Sequence, residues 1–199
     1  MNTKVILFIV TLSAILGTAW IVQPFNKVNN QTQIITADKP IGGDFALQGI
    51  NGKTQLSDYQ GKLVLLYFGY TYCPDICPTN LGNLSMAYQQ LSDKEKAALQ
   101  IIFVSVDPER DTPSRLQEYV NYFDANMIGL TSDAQTIAKI AKNYGVVYAK
   151  VDDPNNGTNY AVDHSAFTYV VDQEGKLQNQ LPHATSPDMF IKTIQQYVK

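Results

Sequence analysis

Short, almost purely apolar runs alternate with amphipathic stretches along most of this chain. The runs Leu63–Phe68 and Ile101–Val106 contain hardly any polar residues, which is typical of strands buried on both faces of a sheet. Phe167–Val171 predicts another strand. The Glu174-Gly175 turn after it predicts a short return strand that begins near Lys176.

Between these runs, apolar residues recur at helical spacing. One helix is predicted around residues 81–91, and a second begins at the cap Thr112 with Pro113 in its first position. A third helix ends at Gly145, and a last one follows Ser186. The residues predicted to form their inner faces are Leu81, Leu84, Tyr88, Leu91, Leu116, Tyr119, Val120, Phe123, Ile137, Ile140, Ala141, Tyr144, Phe190, Ile194, Tyr197 and Val198.

The order of these elements predicts an α/β domain. Asn51-Gly52, between short apolar stretches in residues 45–56, predicts a β-hairpin ahead of the first buried strand, and residues 57–62 are interpreted as a loop. Strands then alternate with helices, so we expect a central mixed sheet flanked by helices, with the hairpin as an N-terminal extension. A cysteine motif between a buried strand and a helix indicates the thioredoxin-like version of this architecture.

The beginning of the chain has a different character. Residues 1–22 form a short cationic start followed by a run without charge from Val5 to Val22, long enough for a membrane-spanning helix of about 17–25 residues. A retained anchor is favoured over a cleaved signal peptide because the run continues past the weak cleavage site Gly17-Thr18-Ala19. Residues 23–40 are interpreted as a tether and 41–199 as the domain, on the oxidising, extracytoplasmic side of the membrane.

Composition and charge exclude some classes of function. Hydrophobic residues make up 45% and charged residues 17% of the 199-residue chain, a globular balance. The formal net charge is -3 and the isoelectric point is about 5.3. Without a basic surplus to neutralise phosphates, nucleic acid is not expected as a partner.

The chain has only two cysteines, Cys73 and Cys77, and they lie close together in one turn-rich loop. Pro78 suits the first position of the helix that follows, which would place Cys77 at or near the N-cap. Backbone N–H groups at a helix N-terminus favour negative charge, so the pKa of a cysteine there falls and more of it is thiolate.

Three interpretations of this pair are open from the residues alone. A structural disulfide would close a very short loop and stabilise little. A dithiol redox site would differ from thioredoxin-type motifs, which have two intervening residues where this chain has three. A metal site fits because two thiolates are soft ligands that suit Cu(I), but they are too few for a closed zinc site of four ligands.

His164 is a candidate third ligand. It lies in a predicted loop just before the strand Phe167–Val171, and residues 152–157 ahead of it are interpreted as a mobile surface loop. If that strand is antiparallel to Leu63–Phe68, His164 lies at the same end of the sheet as the cysteines. An ordinary loop histidine is an equal alternative on spacing alone, and His183, which has no companions, is interpreted in that way.

Three segments, in order along the chain, carry a family resemblance: YFGYTYCPDICPTNL, FVSVDPERDTP and VDHSAFTYVVDQEGK. They resemble the SCO/SenC family, copper-delivery proteins for cytochrome c oxidase. The resemblance implies a thioredoxin-like fold in which Cys73, Cys77 and His164 bind one copper ion as Cu(I) or Cu(II). It also implies an upstream copper donor, and delivery of copper to, or thiol reduction of, the dinuclear copper A centre of oxidase subunit II.

Three residues next to these candidate ligands are also candidates for a role in the site. Tyr72 stands where many relatives have His, which removes an extra imidazole but none of the three ligands. Asp75, between the cysteines, and Asp163, beside His164, are candidates for orienting a ligand or contacting a partner, or for purely local backbone hydrogen bonds.

Asp107, Arg110 and Asp111 follow the end of a predicted strand and precede a helix. Turn formation, helix capping and a local ion pair explain them sufficiently. No role in the site is therefore expected of them.

Two functions are compatible with these features. The first is a metallochaperone, which is not an enzyme and holds copper in an open site that permits transfer by ligand exchange. The second is a thiol–disulfide oxidoreductase that uses Cys73 and Cys77. The two can coexist, because oxidation of the pair to a disulfide removes both thiolate ligands.

Overall fold

The computed structural model describes residues 40–152 and 160–198. These residues form an α/β domain, and their order confirms the alternation of strands and helices expected from the apolar pattern. The elements are β1 (Ala46–Gly49), β2 (Gly52–Gln55), β3 (Leu63–Gly69), α1 (Ile76–Gln90), α2 (Asp93–Ala97), β4 (Leu99–Ser105), α3 (Pro113–Asn121), β5 (Met127–Leu130), α4 (Ala134–Tyr144), β6 (Tyr148–Asp152), β7 (Tyr160–His164), β8 (Thr168–Val171), β9 (Leu177–Leu181) and α5 (Pro187–Tyr197).

A five-stranded mixed sheet forms the centre of the domain, in the order β5-β4-β3-β8-β9. β3, β4 and β5 are parallel, β8 runs antiparallel to β3, and β9 runs antiparallel to β8. Every residue of β3 and β4 is buried. This explains why their sequences are continuous apolar runs rather than alternating ones.

The helices cover the sheet with the apolar faces expected from their spacing. The predicted inner residues are largely buried, and Gly145 ends α4 in the left-handed conformation with φ 68°, as a helix C-terminus favours. The hydroxyls of Thr112 and Ser186 cap α3 and α5, each followed by proline. Residues of these faces with fully buried side chains are Leu81, Leu84, Leu116, Ile137, Phe190 and Ile194.

Two antiparallel hairpins lie outside the central sheet. The predicted one is β1–β2, with Gly49 paired to Gly52, and β1 reaches the sheet through a bridge between Gln48 and Thr131. The second, β6–β7, was not expected from the sequence. The interpretation of residues 160–165 as a loop is therefore wrong, because β7 pairs along its length with β6.

Smaller differences occur at turns. The predicted loop 57–62 begins as a 3-10 helix over Leu56–Tyr59, and the short helix α2 precedes β4 with a capping box between Ser92 and Glu95. Neither is long enough to show a helical period in the sequence.

The interpretations of residues 1–22 as an anchor and of most of 23–40 as a tether lie outside the described residues, as does most of the loop 152–157. Within the described part of the chain, every helix is too short or too polar to cross a bilayer.

Candidate metal centre

The cysteine loop leaves the carboxyl end of β3 and enters α1. Both thiols are free; Cys73 is 8% exposed and Cys77 is fully buried. The backbone N–H of Cys77 donates to the Sγ atom of Cys73 over 3.4 Å. The absence of a side chain at Gly69 lets the Cys77 sulfur pack against the end of β3, because a Cβ atom there would lie 2.7 Å from that sulfur.

The helix begins earlier than the proline positions suggest. Asp75 is the N-cap residue of α1 and makes no side-chain cap, so Cys77 is the second helical residue and not the N-cap. The prediction of Pro78 in the first position is therefore wrong by two residues. Proline is still tolerated there, because the first N–H groups of a helix have no partner within the helix.

The two thiols have opposite acid–base character. The pKa of Cys73 falls to about 4, mainly because Cys77 donates a hydrogen bond to its thiolate; burial opposes this, and His164 adds to it. Burial, then the hydrogen bond to Cys73 and the negative charge of Cys73, raise the pKa of Cys77 well above its ordinary value. The metal-free pair therefore holds one thiolate, on Cys73, and one thiol, on Cys77. A metal ion that binds both sulfurs must displace the second proton.

His164 is the last residue of β7, where it pairs with Tyr148. Its Nε2 atom lies 3.2 Å from the Sγ of Cys77, and its Nδ1 lies 3.2 Å from the carbonyl oxygen of Ser165. A metal ion bound at Nε2 requires the tautomer with its proton on Nδ1, and that proton can then donate to the Ser165 carbonyl. The rings of Tyr67 and Tyr70 meet the imidazole edge-on, at 6.2 and 5.8 Å between centroids.

The sheet topology brings the histidine to the cysteines. β8 is antiparallel to β3, and Thr168 at its start pairs with Tyr67 near the end of β3. The chain just before β8 therefore lies at the sheet end from which the cysteine loop leaves. This confirms the strand direction from which the sequence argument placed His164 near the sulfurs.

These three side chains form a group with the chemistry of a soft metal site. One ligand atom from each of Cys73, Cys77 and His164 lies within 4.8 Å of the others. Metal–ligand bonds of about 2.0–2.3 Å place three donor atoms about 3.5–4 Å from one another. The donor atoms here have a similar spacing: Nε2 of His164 lies 3.2 Å from the Cys77 sulfur, and all three atoms lie within 4.8 Å of one another. Two thiolates with one imidazole suit Cu(I). Among the described residues, no fourth His, Cys, Asp or Glu joins the group, as a closed zinc site would require.

The other predicted site residues lie farther out. The side chain of Asp75 is exposed and accepts a hydrogen bond from the Thr79 hydroxyl over 3.3 Å, while its backbone N–H faces the Cys73 sulfur. Asp163 is exposed and, by strand alternation, points to the face of β7 opposite His164. The structure thus does not bring the Asp163 carboxylate to the ligands. Contact of either carboxylate with a partner stays a prediction.

Sequence reasoning missed a polar network beside the cysteine loop. Asp111 is fully buried and accepts hydrogen bonds from the backbone N–H and hydroxyl of Thr71 and from the hydroxyl of Ser105. It therefore fixes the loop two residues before Cys73. Turn and cap preferences are local, so they gave no sign of a contact 40 residues away in sequence.

Arg110 makes a second long-range contact, with Tyr160 at the start of β7. Its guanidinium and that of Arg115 also flank the ring of Tyr72, at 4.6 and 4.1 Å from the centroid. Tyr72, the residue that departs from the expected histidine, is 48% exposed and lies next to Cys73 in sequence. It therefore contributes to the surface around the site and not to the ligand group.

Fold and site together define a class: an α/β domain of the thioredoxin-like type with a Cys–Cys–His group where the cysteine loop leaves the sheet. Comparison with known proteins identifies the family within this class. The family model described as SCO1/SenC matches residues 33–199. A curated "SCO2-like protein" from Rickettsia felis is 36% identical over all of this chain and 98% of its own length. The chain belongs to the SCO1/SenC family.

Solved structures agree with this assignment. Copper-bound ScoI of Bradyrhizobium japonicum is 35% identical, with a TM-score of 0.72 over 79% of this chain and 99% of that one. BsSco, described as a member of the Sco family of cytochrome c oxidase assembly proteins with a disulfide switch, is 25% identical, with a TM-score of 0.60 over 80% of this chain and 94% of that one. These similarities confirm the predicted thioredoxin-like fold.

Proposed function

We propose that the protein is a copper metallochaperone. Cys73, Cys77 and His164 bind one copper ion, as Cu(I) or Cu(II), and the protein delivers it to the copper A centre of cytochrome c oxidase subunit II during oxidase assembly. An upstream donor loads the site. The observation that carries this proposal is the convergence of two sulfurs and an imidazole nitrogen, within 4.8 Å, from segments far apart in sequence.

The chemistry of the group supports transfer rather than permanent storage. Three ligands leave copper below four-coordination, so a thiolate or imidazole of a partner can bind before a ligand of this chain leaves. Cys73 is partly accessible and Cys77 fully buried. Ligand exchange therefore begins at the Cys73 side of the site.

Copper titration of the reduced domain tests the site. One copper per monomer is expected, and the alanine variants of Cys73, Cys77 and His164 should each bind more weakly. His183→Ala is the matched control, because His183 is exposed in another loop and should leave binding unchanged. A His164→Ala protein that binds both copper states like the parent would refute the three-ligand site.

Delivery is tested with a copper-free, soluble copper A domain of subunit II from the same cell. Mixing it with the copper-loaded protein should produce the absorption spectrum of the dinuclear centre. Retention of copper by this protein in the presence of excess reduced acceptor would contradict delivery while leaving the copper site intact.

A second candidate function is thiol–disulfide exchange, and the unequal thiols favour it. The Cys73 thiolate, with its pKa of about 4, attacks a disulfide of subunit II, or of another exported protein, and forms a mixed disulfide. The negative charge on Cys73 is then gone, so one contribution to the high pKa of Cys77 is removed. The Cys77 thiolate attacks the Cys73 sulfur, which releases the reduced partner and leaves a disulfide in this chain.

Exchange with an oxidised subunit II peptide separates the two functions. Peptide reduction by the copper-free protein, lost in Cys73→Ser and retained in His164→Ala, would establish the redox activity, because that chemistry does not need the imidazole as a metal ligand. No measurable exchange in copper-free protein would leave metal delivery as the function of the pair.

The location completes the proposal. Residues 1–22 hold the protein in a membrane as an uncleaved anchor, residues 23–40 act as the tether, and the domain faces the extracytoplasmic (periplasmic) side, where subunit II carries its copper A centre. The uncharged run from Val5 to Val22 supports this. Membrane fractionation with protease protection of the tagged full chain tests it; release of the domain by a high-salt wash would contradict the anchor.

A further inference from the structure

The hairpin that carries His164 is attached to the domain by side chains. Among the described residues, β6 and β7 pair only with each other, in a two-stranded sheet separate from the central one. The cysteines, in contrast, lie in a loop between β3 and α1, which belong to the main core. The distance between the imidazole and the sulfurs therefore depends on whatever holds this hairpin in place.

One set of contacts at the start of β7 holds it. The Nε of Arg110 donates to Oδ2 of Asp107 over 2.5 Å, and its Nη1 donates to the carbonyl oxygen of Tyr160 over 2.9 Å. The Tyr160 hydroxyl donates to Oδ1 of the same Asp107 over 2.6 Å. Each of the three residues therefore contacts both others. We call this set the Asp107–Arg110–Tyr160 clasp.

The clasp is expected to be rigid, because its ion pair is largely buried and its guanidinium stacks on an aromatic ring. The side chain of Asp107 is fully buried and that of Arg110 is 17% exposed, so water weakens the ion pair little. The guanidinium also lies over the ring of Tyr160, 3.7 Å from its centroid, which adds a cation–π contact. By comparison, the nearby ion pair between Glu109 and Lys150 is exposed on both sides and is expected to contribute little.

Two connections lead from the clasp to the imidazole. Tyr160 is the first and His164 the last residue of β7, with buried Val162 on the same face between them, so fixing one end of this short strand fixes the other. Arg110 also lies 5.7 Å from the ring of Tyr70, whose ring meets His164 edge-on.

We propose that Arg110, with Asp107 and Tyr160, is a positioning residue for the metal centre, and that the clasp holds His164 at the cysteine sulfurs. The inference rests on the proposed function only in that His164 is taken as a copper ligand. Opening the clasp lets the hairpin move, and His164 leaves the other two ligands first. The cysteine loop meets Arg110 at the rings of Tyr70 and Tyr72, but Asp111 also holds that loop through Thr71, so the two thiolates depend less on the clasp than His164 does.

A double-mutant cycle between Arg110→Gln and His164→Ala tests the proposal. Arg110→Gln is expected to lower the apparent copper affinity about tenfold if the state with His164 in place falls to about one-tenth of the population. In the His164→Ala background the same change should have less than about a twofold effect, because the affected ligand is already gone. Lys139→Gln, which removes an exposed cation on α4 away from the hairpin, is the control and should bind copper like the parent.

A second measurement uses metal-free protein. Amide hydrogen exchange of residues 160–164 should be faster in Arg110→Gln than in the parent, while exchange in β3 and β4 stays the same. If Arg110→Gln does not fold, Tyr160→Phe replaces it in both experiments. That variant keeps the ring under the guanidinium and loses only the hydroxyl, so a smaller effect of about threefold is expected.

Two results would overturn the proposal. One is an equal loss of copper affinity in both backgrounds, which would show that Arg110 acts on the whole fold. The other is unchanged exchange of residues 160–164 together with unchanged affinity. Copper binding that is insensitive to His164→Ala would instead refute the three-ligand site, and the exchange measurement in metal-free protein would still decide whether the clasp holds the hairpin.

Discussion

Replacement of Gly69 by alanine perturbs the metal centre without touching a ligand. Gly69 is the last residue of β3, directly beneath the start of α1. An added Cβ atom would lie 2.7 Å from the Cys77 sulfur, 2.9 Å from a ring carbon of Phe103 and 3.1 Å from one of Tyr67. All three neighbours are fully buried, so none can swing into solvent to make room.

The magnitude follows from the overlap. Non-bonded heavy atoms normally sit about 3.5–4.0 Å apart, so the methyl group overlaps the sulfur by about 1 Å. Overpacking of this kind costs about 1–3 kcal/mol of unfolding free energy, which corresponds to a fall of about 2–12 °C in Tm for a domain of this size. Relief of the clash moves the Cys77 sulfur away from β3 and disturbs its 3.2 Å approach to His164. We therefore expect copper affinity to fall about tenfold, or about 1.4 kcal/mol.

Thermal denaturation of metal-free protein and copper titration measure the two effects separately. Gly82→Ala is the matched control: Gly82 lies within α1, and an added Cβ there meets no atom within 4 Å. It should raise stability by about 0.5–1 kcal/mol, because alanine favours a helix over glycine, and leave copper binding unchanged. A Gly69→Ala protein as stable as the parent, with the same copper affinity, would refute this account of the packing.

Three further predictions concern the thiols and the buried polar groups. Since the pKa of Cys73 is about 4 and that of Cys77 is raised, iodoacetamide at about pH 6 should label Cys73 alone in reduced, copper-free protein; equal labelling by peptide mass spectrometry would contradict this. Asp111→Ala leaves three buried donors unpaired and should cost about 3 kcal/mol in urea denaturation; a loss below about 1 kcal/mol would contradict the network. Tyr144→Phe removes the 2.8 Å hydrogen bond to the Gly43 carbonyl and should lower the unfolding free energy by about 1 kcal/mol in urea denaturation. An unchanged denaturation midpoint would show that this bond does not stabilise the domain.

Much of the fold could be predicted because buried strands and helices have recognisable patterns of apolar residues in the sequence. β3 and β4 are buried on both faces and are therefore continuous apolar runs, and the capped starts of α3 and α5 follow directly from Thr112-Pro113 and Ser186-Pro187. The start of α1 was misplaced for a physical reason. Proline fits any of the first few helical positions, so Pro78 marks the first turn but not its first residue.

The β6–β7 hairpin could not be predicted from its pattern. The described side chains of both strands are mostly exposed or half-buried, and Val162 is the one buried side chain of β7. Without a buried run or a strict alternation, the segment reads as a loop. The sequence of residues 152–157, rich in Asp, Asn, Pro and Gly, also favours a loop.

In the candidate site, too, residues close together in sequence could be predicted and residues brought together by the fold could not. Cys73 and Cys77 are close in sequence, so local chemistry identified them as a reactive pair. His164 reached the group through sheet topology, and only the family resemblance raised it above an ordinary loop histidine. Arg110 gave no signal, because its partner Tyr160 is 50 residues away in sequence and local turn preferences already explained it.

The wide separation of the ligands also has a consequence for the order of events in the cell. His164 lies 87 positions after Cys77, and it joins the sulfurs only after β8 has paired with β3. A chain that is still being translocated, or that has stopped partway through folding, presents at most the two thiols. If the three residues bind copper as proposed, tight capture of the metal is delayed until the whole domain has assembled, and an immature chain competes poorly for it.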